Sequence, residues 1–83
     1  MVIDKKNPRP LYLQLKSLLE EKIVSGQFKA HQALPSEREL CRNYHVSQIT
    51  VRQALKELEN LGLVLRVPGK GTFAAEHLRL EHD

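Results

Sequence analysis

Residues 34–62 read "LPSERELCRNYHVSQITVRQALKELENLG", and the fold turns on this stretch. Two helix starts are written into it. Ser36 with Glu39 three residues later is a capping box, in which the serine oxygen accepts a first-turn backbone N–H and the glutamate reaches back to the cap. In the helix that follows, Leu40, Cys41 and Tyr44 share the inward side, while Arg38 and Arg42, at i and i+4, share the outward one. His45 is placed to end it, because histidine enters the left-handed region more readily than most non-glycine residues. After "HVS", Ser47 caps a second helix over 48–61 that stops at Gly62. At about 100° per residue, Val51, Ala54, Leu55, Leu58 and Leu61 fall on one face and Arg52, Gln53 and Lys56 on the other. Two helices separated by so short a link, the second with a polar outer face, read as a helix-turn-helix.

Working outward, the chain is punctuated on both sides. "KKNPRP" at 5–10 is expected to be an extended arm, since a residue before proline avoids the helical region. From Leu11 the period is helical: Leu11, Leu15, Leu18, Leu19 and Ile23 share a face with Tyr12, and Gly26 is a left-handed stop. Residues 27–35 are too short and mixed for a helix, and Gln32–Leu34 has the character of an edge strand. Beyond Gly62 the period changes. "LVLRV" and "TFAA" are strand-like and "PGKG" between them is a turn, so a hairpin follows the third helix as a wing. The expected fold is therefore α+β, a small winged helix-turn-helix of three helices plus a β-hairpin wing, occupying residues 1–75.

Composition supports a binding module. The 83 residues make one small domain, with little room for an elaborate catalytic cleft. The net charge is +3, and twelve of the thirteen basic residues lie in 1–73 against seven of the ten acidic ones, so the basic character belongs to the folded part. A single cysteine allows no internal disulfide. There is no charged-then-apolar leader and no apolar run long enough for a membrane span, so a cytoplasmic location is expected.

Enzyme readings fail on spacing. A phosphate loop needs Gly, four residues, then Gly-Lys-Ser/Thr leading into a helix, whereas in "PGKGT" Lys70 is followed by Gly71 and then a strand. His31, His45, His77 and His82 have neither helical pairing nor companion cysteines, which argues against a metal site. Cys41 is most simply a small core residue. No catalytic residue, cofactor or metal is expected.

The order and spacing of "PLYLQLKSLLEEKIVSG" and "LPSERELCRNYHVSQITVRQALKELENLGLVLRVPGKGTF" resemble the amino-terminal winged-helix domain of the GntR family of bacterial transcription regulators. The opening is closest to its HutC-like and YtrA-like branches. The resemblance implies sequence-specific binding of double-stranded DNA, with the helix at 48–61 in the major groove and the wing at 68–71 near the minor groove. It assigns DNA contacts to Arg38, to Ser47, Gln48, Ile49 and Thr50, to Arg52, and to Gly69, Lys70 and Gly71. It further implies a metabolite-responsive repressor, bound as a homodimer to a pseudo-palindromic operator. The small-molecule effector would act only through a carboxy-terminal domain, and residues 76–83 would begin the linker to it. The family most often has arginine where this chain has Gln48, and frequently a polar or flexible residue at Ile49.

Elementary chemistry bears on those two departures. Glutamine pairs with adenine N6 and N7, and an apolar side chain contacts the thymine methyl, so Gln48 and Ile49 together would favour A·T steps. The plainer alternatives are that Ile49 is merely tolerated on the surface or packs locally on the second helix. A winged helix also serves in some proteins to bind another protein, and fold alone does not separate the two uses.

Overall fold

Three helices, α1 (Leu11–Val24), α2 (Glu37–Tyr44) and α3 (Gln48–Asn60), are followed by two strands, β1 (Val64–Val67) and β2 (Gly71–Ala74). The computed structural model describes residues 3–75. The linker expected at 76–83 lies outside the described residues.

The helix starts form as the sequence dictates. Ser36 Oγ accepts from the Glu39 N–H at 3.1 Å, and the Ser36 N–H donates to Glu39 Oε1 at 2.8 Å, closing the capping box. His45 ends α2 in the left-handed conformation at φ 56°. Ser47 Oγ accepts from the Thr50 N–H at 3.1 Å and caps α3.

At the far end of α3 the structure departs from the periodic expectation. Leu61, assigned to the buried face, is 54% exposed. The helix closes in a Schellman arrangement, with the Gly62 N–H on the Glu59 carbonyl and the Leu63 N–H on the Leu58 carbonyl, both at 2.9 Å. In that motif the apolar contact belongs to the residue after the glycine. Leu63 accordingly packs against the core and Leu61 is swung out.

The two strands pair antiparallel with Val64 opposite Ala74 and Val67 opposite Gly71. The expected edge segment pairs along the outer side of β2: Ala33 bridges Phe73, and the Leu34 N–H and Gln32 carbonyl bond the Thr72 carbonyl and Ala74 N–H, both at 2.8 Å. This pulls the long connection after α1 onto the sheet and carries Leu34 into the core. The core is Leu15, Leu18, Leu19 and Ile23 of α1, Leu40 of α2, Val51, Ala54, Leu55 and Leu58 of α3, with Leu34, Val64 and Ala74. Helix α3 packs on α1, α2 and β1 at once, so its orientation is set from three sides.

The amino-terminal arm is not extended. Asp4 and Asn7 side chains accept the N–H groups of Lys6 and Arg9, at 3.0 and 2.9 Å, curling the segment into turns. Gln14, buried on α1 where periodicity shows only a polar residue, clamps the turn. Its Oε1 accepts the Asp4 N–H at 2.8 Å, and its Nε2 donates to the carbonyls of Asp4 and Arg9 at 3.0 and 2.9 Å. A buried amide satisfied three times over outweighs the local extended preference before proline. The Lys5 ammonium donates to the His45 carbonyl, laying the arm beside the turn between α2 and α3.

Candidate nucleic-acid interface

The residues singled out from sequence gather around the amino end of α3. Ser47 is spent on the cap and also donates its hydroxyl to Thr50 Oγ1 at 3.0 Å, which fixes both side chains at the helix start. Gln48 and Ile49 are exposed, and Ile49 at 75% is the most exposed large apolar side chain of the described residues. That exposure removes local packing on α2 as an explanation for it. Arg52 lies one turn on, with its side chain 60% exposed. Arg38 and Arg42 are exposed on α2.

The wing supplies a second element. The Lys70 N–H donates to the Val67 carbonyl at 2.9 Å across a turn with Pro68 and Gly69 at its centre. Proline presets the first central position and the second requires positive φ, which Gly69 takes at 78°. Gly71 follows at φ 124°. A Cβ at either position would meet nothing within 4 Å, so backbone angle rather than crowding within the chain calls for glycine. Lys70 stands exposed between them.

One residue that sequence reasoning passes over joins these elements. Glu37, the first residue of α2, accepts from Gln48 Nε2 at 3.2 Å and from Arg52 Nε at 3.1 Å on one carboxylate oxygen, and from Arg66 Nη2 at 2.8 Å on the other. Arg66 belongs to β1, so a single carboxylate links the helix-turn-helix to the wing. Sequence reading leaves the acidic residues to caps and solvated faces. The available signal is a second glutamate inside the capping box with no capping duty of its own. Between α2, α3 and the hairpin runs an open groove of about 510 Å³ lined by Ser36, Glu37, Glu59, Arg66 and the wing residues 67–69, 71 and 72.

Burial at the head of this groove pushes the Glu37 carboxyl up, but hydrogen bonds from Arg52 and Gln48 and the charges of Arg52 and Arg66 pull it down further. Its pKa lies below the ordinary value. A depressed carboxylate contributes stability above its unfolded pKa and loses it as pH falls through the folded one. The urea midpoint of the parent should therefore exceed that of Glu37→Gln at pH 7, and the difference should shrink as pH is taken below about 4. A difference constant from pH 7 to pH 2 would mean that the charge plays no part.

Among the described residues no group of three or more His, Cys, Asp or Glu side chains is placed to hold a metal ion, and no helix is long and apolar enough to cross a membrane. Cys41 is partly buried against the core.

Three helices, a short turn before an exposed helix start, and a glycine-bearing hairpin beside it define a winged helix-turn-helix protein. Residues 11–74 match the family described as bacterial regulatory proteins, gntR family. The chain belongs to this GntR family. It is 42% identical over 76 residues to the HTH-type transcriptional repressor NagR of Bacillus subtilis, covering 92% of this chain and 31% of that protein. Against the histidine utilization repressor of Klebsiella aerogenes it is 44% identical over 69 residues, covering 83% of this chain and 29% of that one. The chain thus spans about a third or less of these relatives. Among solved structures, the DNA-binding domain of AraR in complex with an operator superposes with a TM-score of 0.75 at 38% identity, covering 77% of each chain. YtrA of Sulfolobus acidocaldarius, a GntR-family transcription factor, superposes with a TM-score of 0.83 at 29% identity over 92% of this chain and 80% of that one.

Proposed function

We propose that the chain is the operator-reading domain of a transcriptional repressor and that it binds double-stranded DNA with the amino end of α3 in the major groove. The observation that carries this reading is the exposed start of α3, where Gln48, Ile49 and Arg52 stand together on a helix held from three sides by the core. The operator complex of the AraR domain, alike in fold and sequence, supports it. Residues at the start of a recognition helix reach base edges, and hydroxyls and backbone amides there bind phosphate. Gln48 and Ile49 read bases, the Ser47 backbone N–H, the Thr50 hydroxyl and Arg38 position the helix on phosphates, and Arg52 reaches the groove from one turn further in.

Charge order sets the tilt. Arg52 and Lys56 come first along α3 and Glu57 and Glu59 later, so the second half of the helix is repelled by phosphates and stays out of the groove. Gly69, Lys70 and Gly71 then meet an adjacent minor groove or its phosphates, adding affinity with little sequence information. A homodimer on a pseudo-palindromic operator, with a small-molecule effector bound by a further domain, completes the reading. No catalytic role is proposed.

Selection from randomised duplexes, followed by a salt titration on the winning sequence, tests the reading. Binding should weaken steeply as salt rises, through counterion release, and a scrambled duplex should bind more weakly. Equal affinity for both duplexes, or affinity indifferent to salt, would overturn it; the second result is that of an apolar protein interface. Lys70→Ala should weaken binding to selected and scrambled DNA by similar factors and lower the log–log salt slope by about one unit. An unchanged slope would put the wing tip off the DNA.

A further inference from the structure

We propose that Glu37 is a positioning residue for DNA reading, holding Gln48 and Arg52 in the orientation in which their remaining polar edges face the base pairs. This rests on the reading of α3 as the helix that enters the groove. The contacts decide which edges remain. A carboxylate only accepts, so the Gln48 amide must turn Nε2 towards Glu37, at 3.2 Å. That leaves its carbonyl oxygen and a second N–H, the acceptor and donor that adenine N6 and N7 require. Arg52 spends Nε on the same oxygen at 3.1 Å and keeps both terminal nitrogens, the fork that grips guanine O6 and N7 or a phosphate.

The anchor is itself fixed. Glu37 follows the capped Ser36 at the start of α2, and Arg66 holds its other oxygen at 2.8 Å from β1. Two flexible side chains on α3 are thereby ordered before DNA arrives, from a point on a different helix and with the wing tied to the same group. Ordering in advance lowers what binding must cost in lost side-chain freedom. A bare carboxylate here would repel phosphates. Removing it therefore has two effects of opposite sign, and this separates positioning from plain charge.

Glu37→Gln should weaken binding to the duplex selected by the parent chain about tenfold while leaving a scrambled duplex bound as well as before or more tightly. The selected motif should keep its bases but lose sharpness. In a cycle of Glu37→Ala and Arg52→Ala, the double variant should lose less than the product of the single losses. If both duplexes tighten together, Glu37 is only a counter-charge. If a different base is selected, Glu37 itself touches DNA, and if the losses multiply, it acts apart from Arg52. Each of these overturns the proposal. A DNA-free measurement separates it from the reading it rests on: the Arg52 Nε–H proton should exchange slowly with water in the parent and fast in Glu37→Ala. Equally fast exchange in both would overturn the positioning role even where DNA binding stands, whereas a protected proton in a chain that fails to discriminate duplexes would overturn the DNA assignment instead.

Discussion

Leu58→Ala should cost about 2–5 kcal/mol of folding stability. Leu58 on α3 is fully buried in the core cluster to which all three helices and both strands contribute, and the side-chain atoms removed would leave a cavity there. A domain of this size has only about 4–12 kcal/mol in total, so the loss is a large fraction of the whole and should lower the urea midpoint in proportion. The informative comparison is Leu61→Ala, three residues on and at the same helical phase. Leu61 is more than half exposed, and its truncation should cost under about 0.5 kcal/mol. Urea denaturation of the two variants checks both numbers. Comparable losses would mean that the chain does not turn at Gly62 and that Leu61 packs inward after all.

That pair of leucines also shows what a sequence discloses. Local chemistry was legible at the caps and turns, though not in the amino-terminal arm, where the Asp4 and Asn7 turns replaced the extended run expected before proline. The capping box at Ser36 and Glu39, the Ser47 cap, the left-handed His45 and the Pro-Gly turn depend on residues within a few positions of each other, and each formed where expected. Helical period located three buried faces and overreached at their ends, at Leu11, which is half-buried outside the core cluster, and at Leu61, where the helix had already ended and the Schellman contact passed to Leu63. Gln14 was illegible because a glutamine on an apolar face looks like an interruption until its partners, Asp4 and Arg9, fold back over it.

Glu37 was harder still. Its partners lie 11, 15 and 29 residues away on two other elements, and no period or motif relates them. The candidate interface was therefore readable as a set of donors at a helix start and a hairpin tip. The acceptor that gathers Gln48, Arg52 and Arg66 comes from tertiary convergence alone.

Gln48→Arg should change which operator the chain selects. Gln48 is exposed at the first position of α3 and offers one acceptor and one free N–H beyond its bond to Glu37, a pattern matched to adenine. Arginine offers donors only, and its fork pairs with guanine O6 and N7. The carboxylate that receives Gln48 Nε2 can equally receive a guanidinium N–H, so the longer side chain keeps a support at its base. Discrimination of about 1–3 kcal/mol, roughly 5- to 150-fold, should therefore move from adenine to guanine at that position. Neighbouring positions should hold, because Ile49 and Arg52 are unchanged. Folding should be untouched, since the site is on the surface, and the urea midpoint provides the control. Selection from a randomised duplex library with the parent and the variant in parallel reads the outcome directly. If both recover the same motif, Gln48 does not reach a base, and α3 must meet the groove through Arg52 and the α2 arginines rather than by its first turn.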